Sequence, residues 1–277
     1  MKSIQDHLTW AVELFRQNQM DNATLDARVL LGSAGGFSKE EMIRNPEKEL
    51  SLDASHQFQQ WVGKRIDGTP TAYLIQQKEF YSLPFFVNEN VLIPRPETEI
   101  LIDVFAKKIG NVEKKVCDVG TGSGIIAITL KKQFPQLQVT AMDISSEALD
   151  VAKKNADTHH VRVEWVQSDL FENASGKWHV IVANLPYIPS QDISGLSHEV
   201  QREPHAALDG GPNGLDIYRR MLEEIEDHLL PSGEIILEFG MGQTDALISL
   251  FQTKGFLNIN IIKDHAGIDR ILYAKKK

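Results

Sequence analysis

Val116-Cys117-Asp118-Val119-Gly120-Thr121-Gly122-Ser123-Gly124 runs an apolar strand into three alternate glycines, and Ile125-Ile126-Ala127-Ile128-Thr129-Leu130 follows with a helical pattern. A strand, a glycine turn and a helix in that order open a parallel α/β sheet, whose ligand crevice lies beyond the carboxyl ends of its strands. Working outward, strands are expected over 116–119, 138–142, 161–167 and 180–183, with helices over 123–134 and 145–156. Later strands fall at 234–239, 257–262 and 269–274, with helices over 216–229 and 243–254. Only residues 263–268 separate the last two strands, so they can pair as a hairpin that gives the sheet an antiparallel edge.

Upstream the period changes. From Ile4 to about Ile66 the apolar residues recur at helical spacing, as in Leu8, Val12 and Phe15, then Leu25, Val29 and Leu30. Gly32 to Gly36 and Pro46 break the pattern, and Ser38 suits the N-cap of Lys39-Glu40-Glu41-Met42. Glu79-Phe80-Tyr81-Ser82 and Pro84-Phe85-Phe86-Val87 read as two short strands around a turn. Pro94-Arg95-Pro96-Glu97-Thr98-Glu99 then stops one segment and starts a helix over 100–109. The expected organisation is a helical bundle over 1–78, a linking β-hairpin over 79–93 and an α/β domain over 94–277.

With 277 residues, 42% hydrophobic and 24% charged, the chain has the composition of a soluble globular protein. The net charge is −9: the first 85 residues hold 9 basic and 11 acidic side chains and the remainder 20 and 27. Neither part has the basic balance of a duplex-binding surface, so no direct nucleic-acid partner is expected. The single cysteine, Cys117, cannot form an internal disulfide and reads as a small buried hydrophobe. Met1-Lys2-Ser3-Ile4-Gln5-Asp6-His7 lacks a leader's apolar core, and no run of about 18 apolar residues occurs, so the expectation is a cytoplasmic monomer without a membrane partner. The nine histidines show no metal-ligand spacing, and no metal is expected.

Glycines at 120, 122 and 124 give G-x-G-x-G, not the dinucleotide G-x-G-x-x-G, and no Lys-Ser or Lys-Thr follows to make a P-loop. What remains is a tight turn whose backbone can approach a ligand, beside free amides at a helix N-terminus. Three acids end successive strands: Asp118 suits a cationic amine, Asp143 the two hydroxyls of a ribose, and Asp169 an adenine amine. S-adenosylmethionine carries all three groups. The expected donor set is Asp118, Gly120, Thr121, Gly122, Ser123, Gly124, Asp143, Asp169 and Leu170, with Asn184 at the boundary to the acceptor.

The acceptor motif is Asn184-Leu185-Pro186-Tyr187, at the C-terminal end of the strand Val180-Ile181-Val182-Ala183. It resembles the Asn-Pro-Pro-Tyr signature of methyltransferases acting on planar amide or amine nitrogens. With Pro94 to Glu99, Asp118 to Gly124 and Leu208-Asp209-Gly210-Gly211-Pro212-Asn213-Gly214-Leu215-Asp216-Ile217-Tyr218-Arg219, nearly the whole chain resembles the peptide chain release factor glutamine methyltransferase family. The resemblance implies a seven-stranded Rossmann-like class I methyltransferase sheet behind a helical substrate-recognition domain. It also implies S-adenosyl-L-methionine as donor, S-adenosyl-L-homocysteine as product, and the glutamine of a release factor's Gly-Gly-Gln motif as acceptor.

Leu185 stands where the family has proline. A backbone carbonyl is present there whatever the side chain, and Pro186 biases Leu185 toward extended angles. A carboxamide nitrogen is a poor nucleophile because its lone pair is delocalised, so the site must fix it in line with the methyl group. The Asn184 side-chain oxygen and the Leu185 carbonyl are expected to accept its two hydrogens, with Tyr187 packing on the amide plane. Arg95 and Glu97 can line the acceptor cleft, or can form a surface ion pair or a helix cap. Rival readings are a ribosomal-protein glutamine methyltransferase, an adenine amino-methyltransferase, and a catalytically silent binding module.

Overall fold

The computed structural model describes residues 3–277; Met1 and Lys2, the start of the segment read as lacking a leader core, lie outside them. The described residues divide into two units, one running to residue 77 and taking in 197–202, the other of 78–196 with 203–277. The expected linker over 79–93 falls in the second unit, and the first gains a short segment from far along the sequence.

The first unit is helical: α1 (Ile4–Gln17), α2 (Ala23–Gly35), α3 (Lys39–Arg44), α4 (Leu52–Ile66) and α5 (Thr71–Ile75). Ser3 and Asp6 form a reciprocal capping box on α1, and the hydroxyls of Ser38 and Ser51 accept backbone N–H bonds at the starts of α3 and α4. Phe15, Leu30, Leu31, Phe58 and Val62 are fully buried and form its core. The side chain of Arg65, 4% exposed, donates to Asp26 Oδ2 at 2.9 Å and pairs with Glu199 through Nη2. Arg202 donates to the Asp67 carbonyl at 3.0 Å. These bonds are what bring 197–202 into the helical unit.

The second unit begins with a hairpin, β1 (Gln77–Phe80) and β2 (Leu83–Phe86), starting in residue Gln77 at the end of the first. Its turn residues Tyr81 and Ser82 have φ of 51° and 59°, the left-handed pair that a tight two-residue turn requires. A short 3₁₀ turn, Pro96–Thr98, leads into α6 (Glu99–Lys108). Then come β3 (Lys115–Val119), α7 (Ile125–Gln133), β4 (Gln138–Asp143), α8 (Ser146–His159), β5 (Glu164–Gln167) and β6 (Trp178–Asn184). The chain ends with α9 (Asp216–His228), β7 (Leu229–Glu238), α10 (Thr244–Thr253), β8 (Phe256–Lys263) and β9 (Asp269–Lys276).

The seven-stranded sheet has the order β5-β4-β3-β6-β7-β9-β8. Its antiparallel strand is not the edge that the short connection suggested. β9 inserts between β7 and β8, antiparallel to both, so the edge strand β8 runs with the parallel strands. β7 also starts earlier than expected: Leu229 pairs with Trp178, the register shifts, and the regular ladder resumes at Glu234 opposite Val180.

Both faces of the central strands are buried, which is why β3, β4 and β6 read as continuous apolar runs. Val116, Val180, Val182 and Ile236 pack on the face covered by α6 and α7. Their neighbours Cys117, Val119, Ile181, Ile235 and Leu237 face the opposite layer with α9 and α10, the two-residue alternation of a pleated strand. No described helix is long and apolar enough to cross a membrane.

Candidate active site

A cavity of about 610 Å³ opens beyond the carboxyl ends of β3, β4 and β6, entirely within the second unit. Gly120 to Ser123, Asp143, Asp169, Leu170 and Asn184 to Pro186 line it, so most of the expected donor and acceptor residues meet on one wall. Three do not reach it. Asp118 and Gly124 lie behind the glycine turn, and Tyr187 lies behind the acceptor loop.

Asp118 is fully buried. Its Oδ2 accepts from the Thr121 hydroxyl at 2.6 Å and from Ala127 N at 3.1 Å, so it braces the turn and the first turn of α7. Its Oδ1 has no partner, and burial pushes its carboxyl up to about 7. Buried and outside the cavity lining, this carboxylate ties the glycine turn to the start of α7. Gly124 sits against Ile128 and Ala152, where it lets α7 and α8 approach.

Asp143 does face the cavity. Its two oxygens accept from Gly122 N at 2.8 Å and Ser145 N at 3.0 Å, leaving a second lone pair on each. Burial raises its carboxyl, and the bonds from Ser145 and Gly122 oppose that shift. Asp169 accepts from Arg220 at 2.8 Å, a cavity-lining cation that periodicity did not single out. Leu170 is held at φ 48°, an uncommon conformation for a bulky residue, and is buried in the lining. Gly120 has φ 71°, and a Cβ built there would stand 2.8 Å from Leu185 Cδ2. The leucine that replaces the family proline therefore seats its side chain on the glycine turn, in space only a glycine leaves open.

The acceptor loop is held by residues distant in sequence. Asn184 Nδ2 donates to Thr98 Oγ1 at 3.1 Å, and the Thr98 hydroxyl donates to Glu238 Oε2 at 2.6 Å. Glu238 is the register partner of Asn184 on β7, is 1% exposed, and also accepts from the Tyr187 hydroxyl at 3.5 Å. Burial pushes the Glu238 carboxyl up to about 7, opposed by the Thr98 bond and by Arg270, while Glu97 adds to the rise. Burial, with Glu238 beside it, pushes the Tyr187 phenol up to about 12, so it stays a donor. The buried Tyr218 hydroxyl donates to the Glu238 carbonyl at 2.7 Å and lies 3.5 Å from the Leu185 carbonyl.

The segment Leu208–Leu215 clamps the same loop from the other side. Ile188 N donates to Leu208 O at 3.0 Å and Gly210 N to Ile188 O at 2.9 Å. The Gln243 side chain donates to the carbonyls of Tyr187 and Gly214 and accepts from Gly240 N, joining three loops. The open question about Arg95 is answered by Glu203, which accepts from Arg95 Nη2 at 2.6 Å and Ile93 N at 2.9 Å. Arg95 also lines the cavity. Thr98, Glu238, Gln243 and Glu203 carry no local sequence signal; pairing across 29 to 140 residues reveals them.

Known proteins place this geometry in a family. A model described as methyltransferase small domain matches residues 96–254, and one described as PrmC N-terminal domain matches 6–75. The release factor glutamine methyltransferase of Moorella thermoacetica is 37% identical over 99% of both chains. That of Geobacter sulfurreducens is 34% identical over 98% of this chain and 95% of its own. A crystal structure of a methyltransferase from Pyrococcus furiosus shares the fold, with a TM-score of 0.54, 22% identity, and coverage of 72% of this chain and 91% of that one. With relatives of 34% and 37% identity matched over nearly their whole length, the chain belongs to the release factor glutamine methyltransferase family.

Proposed function

We propose that the protein transfers the methyl group of S-adenosylmethionine to the side-chain nitrogen of the glutamine in the Gly-Gly-Gln motif of peptide chain release factors. The observation that carries this reading is Asn184 on the cavity wall with its Nδ2 already committed to Thr98, which leaves Oδ1 to accept from an incoming carboxamide. The donor supplies an electrophilic methyl on a sulfonium. Gly120 and Gly122 bring bare backbone to its tail, Asp143 offers two lone pairs to the ribose hydroxyls, and Asp169 with Leu170 borders the base.

Asn184 Oδ1 and the Leu185 carbonyl take one amide hydrogen each, which fixes the nitrogen and draws density toward it as the methyl arrives. On transfer the methyl–sulfur bond would break as the carbon–nitrogen bond forms, and the nitrogen, acidic only once alkylated, would lose its proton to water, so no strong base is needed at the outset. Tyr187 holds the loop through Glu238, with its ring against Gly240. The helical first unit recognises the release factor. Mass spectrometry of a purified release factor incubated with enzyme and donor tests this: the Gly-Gly-Gln glutamine gains the mass of one CH₂, and Asn184→Ala abolishes the gain. An unmodified glutamine, or an Asn184→Ala enzyme as fast as the wild type, overturns it.

A further inference from the structure

We infer that Glu238 is a positioning residue that acts through Thr98 as a proton-controlled switch on the orientation of the Asn184 carboxamide, so that only the ionised glutamate leaves Asn184 Oδ1 free for the substrate amide. The inference rests on the acceptor role given to Asn184 above and goes beyond it by assigning what sets that amide's direction.

The argument is a count of protons along a three-membered chain. Thr98 owns one hydroxyl hydrogen. At 2.6 Å from Glu238 Oε2 that bond has the length of an O–H donor on a carboxylate, and an ionised carboxylate can only accept. The Thr98 hydrogen is then spent, its oxygen offers only lone pairs, and the neighbour at 3.1 Å must be a donor. For Asn184 that means the NH₂ side, with Oδ1 turned away from Thr98 as a pure acceptor.

When Glu238 takes a proton from solvent on Oε2, the direction reverses. The new O–H donates to Thr98 Oγ1, the Thr98 hydrogen rotates toward Asn184, and the amide must turn over to present Oδ1 to it. Asn184 then offers N–H to a substrate NH₂, two donors face to face, and the acceptor grip is lost.

Every group around the carboxylate bears on this equilibrium. Tyr187 from the acceptor loop donates to Oε1, Arg270 of β9 attracts the charge, and Glu97 from the 3₁₀ turn repels it. Tyr218 of α9 spends its hydroxyl on the Glu238 backbone carbonyl and not on the carboxylate. Burial is the largest influence and sets the balance near neutrality, so the two orientations exchange within the range where the enzyme can be assayed.

The test measures methylation of a purified release factor from about pH 5.5 to 9 at saturating labelled donor, so that the buried Asp118, which also titrates near 7, does not enter through donor binding. Wild-type kcat falls about tenfold per pH unit on an acid limb with its midpoint near 7. Glu238→Gln removes the limb and lowers kcat at high pH with KM for the release factor within about threefold. Glu238→Asp and Thr98→Ser keep a limb, and Thr98→Val removes it. An acid limb unchanged in Glu238→Gln, or a flat wild-type profile, overturns the inference.

A second readout needs no turnover. In ¹H–¹⁵N spectra of the S-adenosylhomocysteine complex, the Asn184 side-chain NH₂ signals shift with the same midpoint, and Glu238→Gln abolishes the shift. Signals that stay fixed across that pH range overturn the switch even if methylation is robust. Conversely, shifting signals in an enzyme that never modifies the release factor uphold the switch and count against the proposed function alone.

Discussion

Gly214 shows how little room the acceptor loop allows: its φ is 71°, and a Cβ built there would stand 2.2 Å from the Tyr187 carbonyl oxygen and 2.4 Å from Gln243 Nε2. Gly242 has a similar φ of 83° but nothing within 4 Å. Gly242→Ala is therefore expected to cost about 1 kcal/mol from backbone strain alone, whereas Gly214→Ala costs about 2 kcal/mol or more. Because the clash falls on the residue after Asn184-Leu185-Pro186, Gly214→Ala also lowers kcat by about tenfold or more. Equal melting temperatures and equal kcat for the two variants are the contrary result. The buried carboxyls make a separate prediction. Asp118 and Glu238 hold their protons up to about 7 in the native state, whereas an unfolded chain releases them near 4. Their folded pKa values are raised, so the contribution to stability is full on the acid side of about 4 and is lost as pH rises through 7. Glu238→Gln removes one such group, so its advantage over wild type in urea unfolding grows between about pH 5 and 8, by about 1–3 kcal/mol. An advantage that shrinks over that range contradicts it.

The elements that periodicity marks are those whose burial is two-sided or one-sided in a regular way. β3, β4 and β6 are legible because both faces are covered, and the glycine turn because its residues cannot be strand or helix. The order β7-β9-β8 was not, since nothing local tells a hairpin that its first strand will lie outside its second. The early start of β7 was hidden by Pro231 and Ser232, which read as breakers and do break the ladder, yet leave Leu229 paired. Most of the residues singled out by type and strand position do line the cavity. Asp118 is buried and outside the cavity lining, and a strand-end acid looks the same in sequence whether it faces the crevice or the core. Thr98, Glu238 and Gln243 were beyond reach, since their roles exist only once β6, β7 and the 3₁₀ turn are side by side. Asn155 on α8 is of the same kind. Its amide accepts from Phe86 N at 2.7 Å and donates to the carbonyls of Phe86 and Ser123, joining β2 to the donor turn. Asn155→Leu strands these buried groups and should cost about 2–4 kcal/mol, with weaker S-adenosylhomocysteine binding by calorimetry. Donor affinity at the wild-type level in a destabilised variant means the turn does not depend on this tie.

At the scale of the whole chain, the two units have separate cores: Phe15, Leu30, Phe58 and their neighbours in one, and the layers on either face of the sheet in the other. The cavity is lined wholly by residues of the second unit. Within the first, Arg65 neutralises the buried Asp26 and tethers Glu199, whose segment follows the acceptor loop in sequence. Removing the cation leaves Asp26 with, among the described residues, the Thr71 hydroxyl at 3.0 Å as its side-chain partner. A buried carboxylate stripped of its partner is costly, so Arg65→Met is expected to destabilise the helical unit by about 3–5 kcal/mol. That loss is confined to one core, and separate cores permit separate melting. Calorimetry of the variant should show the helical unit melting first and the sheet unit near its original temperature. Between the two transitions S-adenosylhomocysteine is expected still to bind, because the cavity is intact, while methyl transfer to a release factor fails, because the unit proposed to recognise the protein has unfolded and residues 197–202 have lost their anchor. Arg65→Lys keeps a charge but not two directed bonds and should fall between. A single transition in Arg65→Met that takes donor binding with it would mean the helical unit and the sheet unit fold as one, and that the proposed division between recognising the protein and holding the donor is wrong.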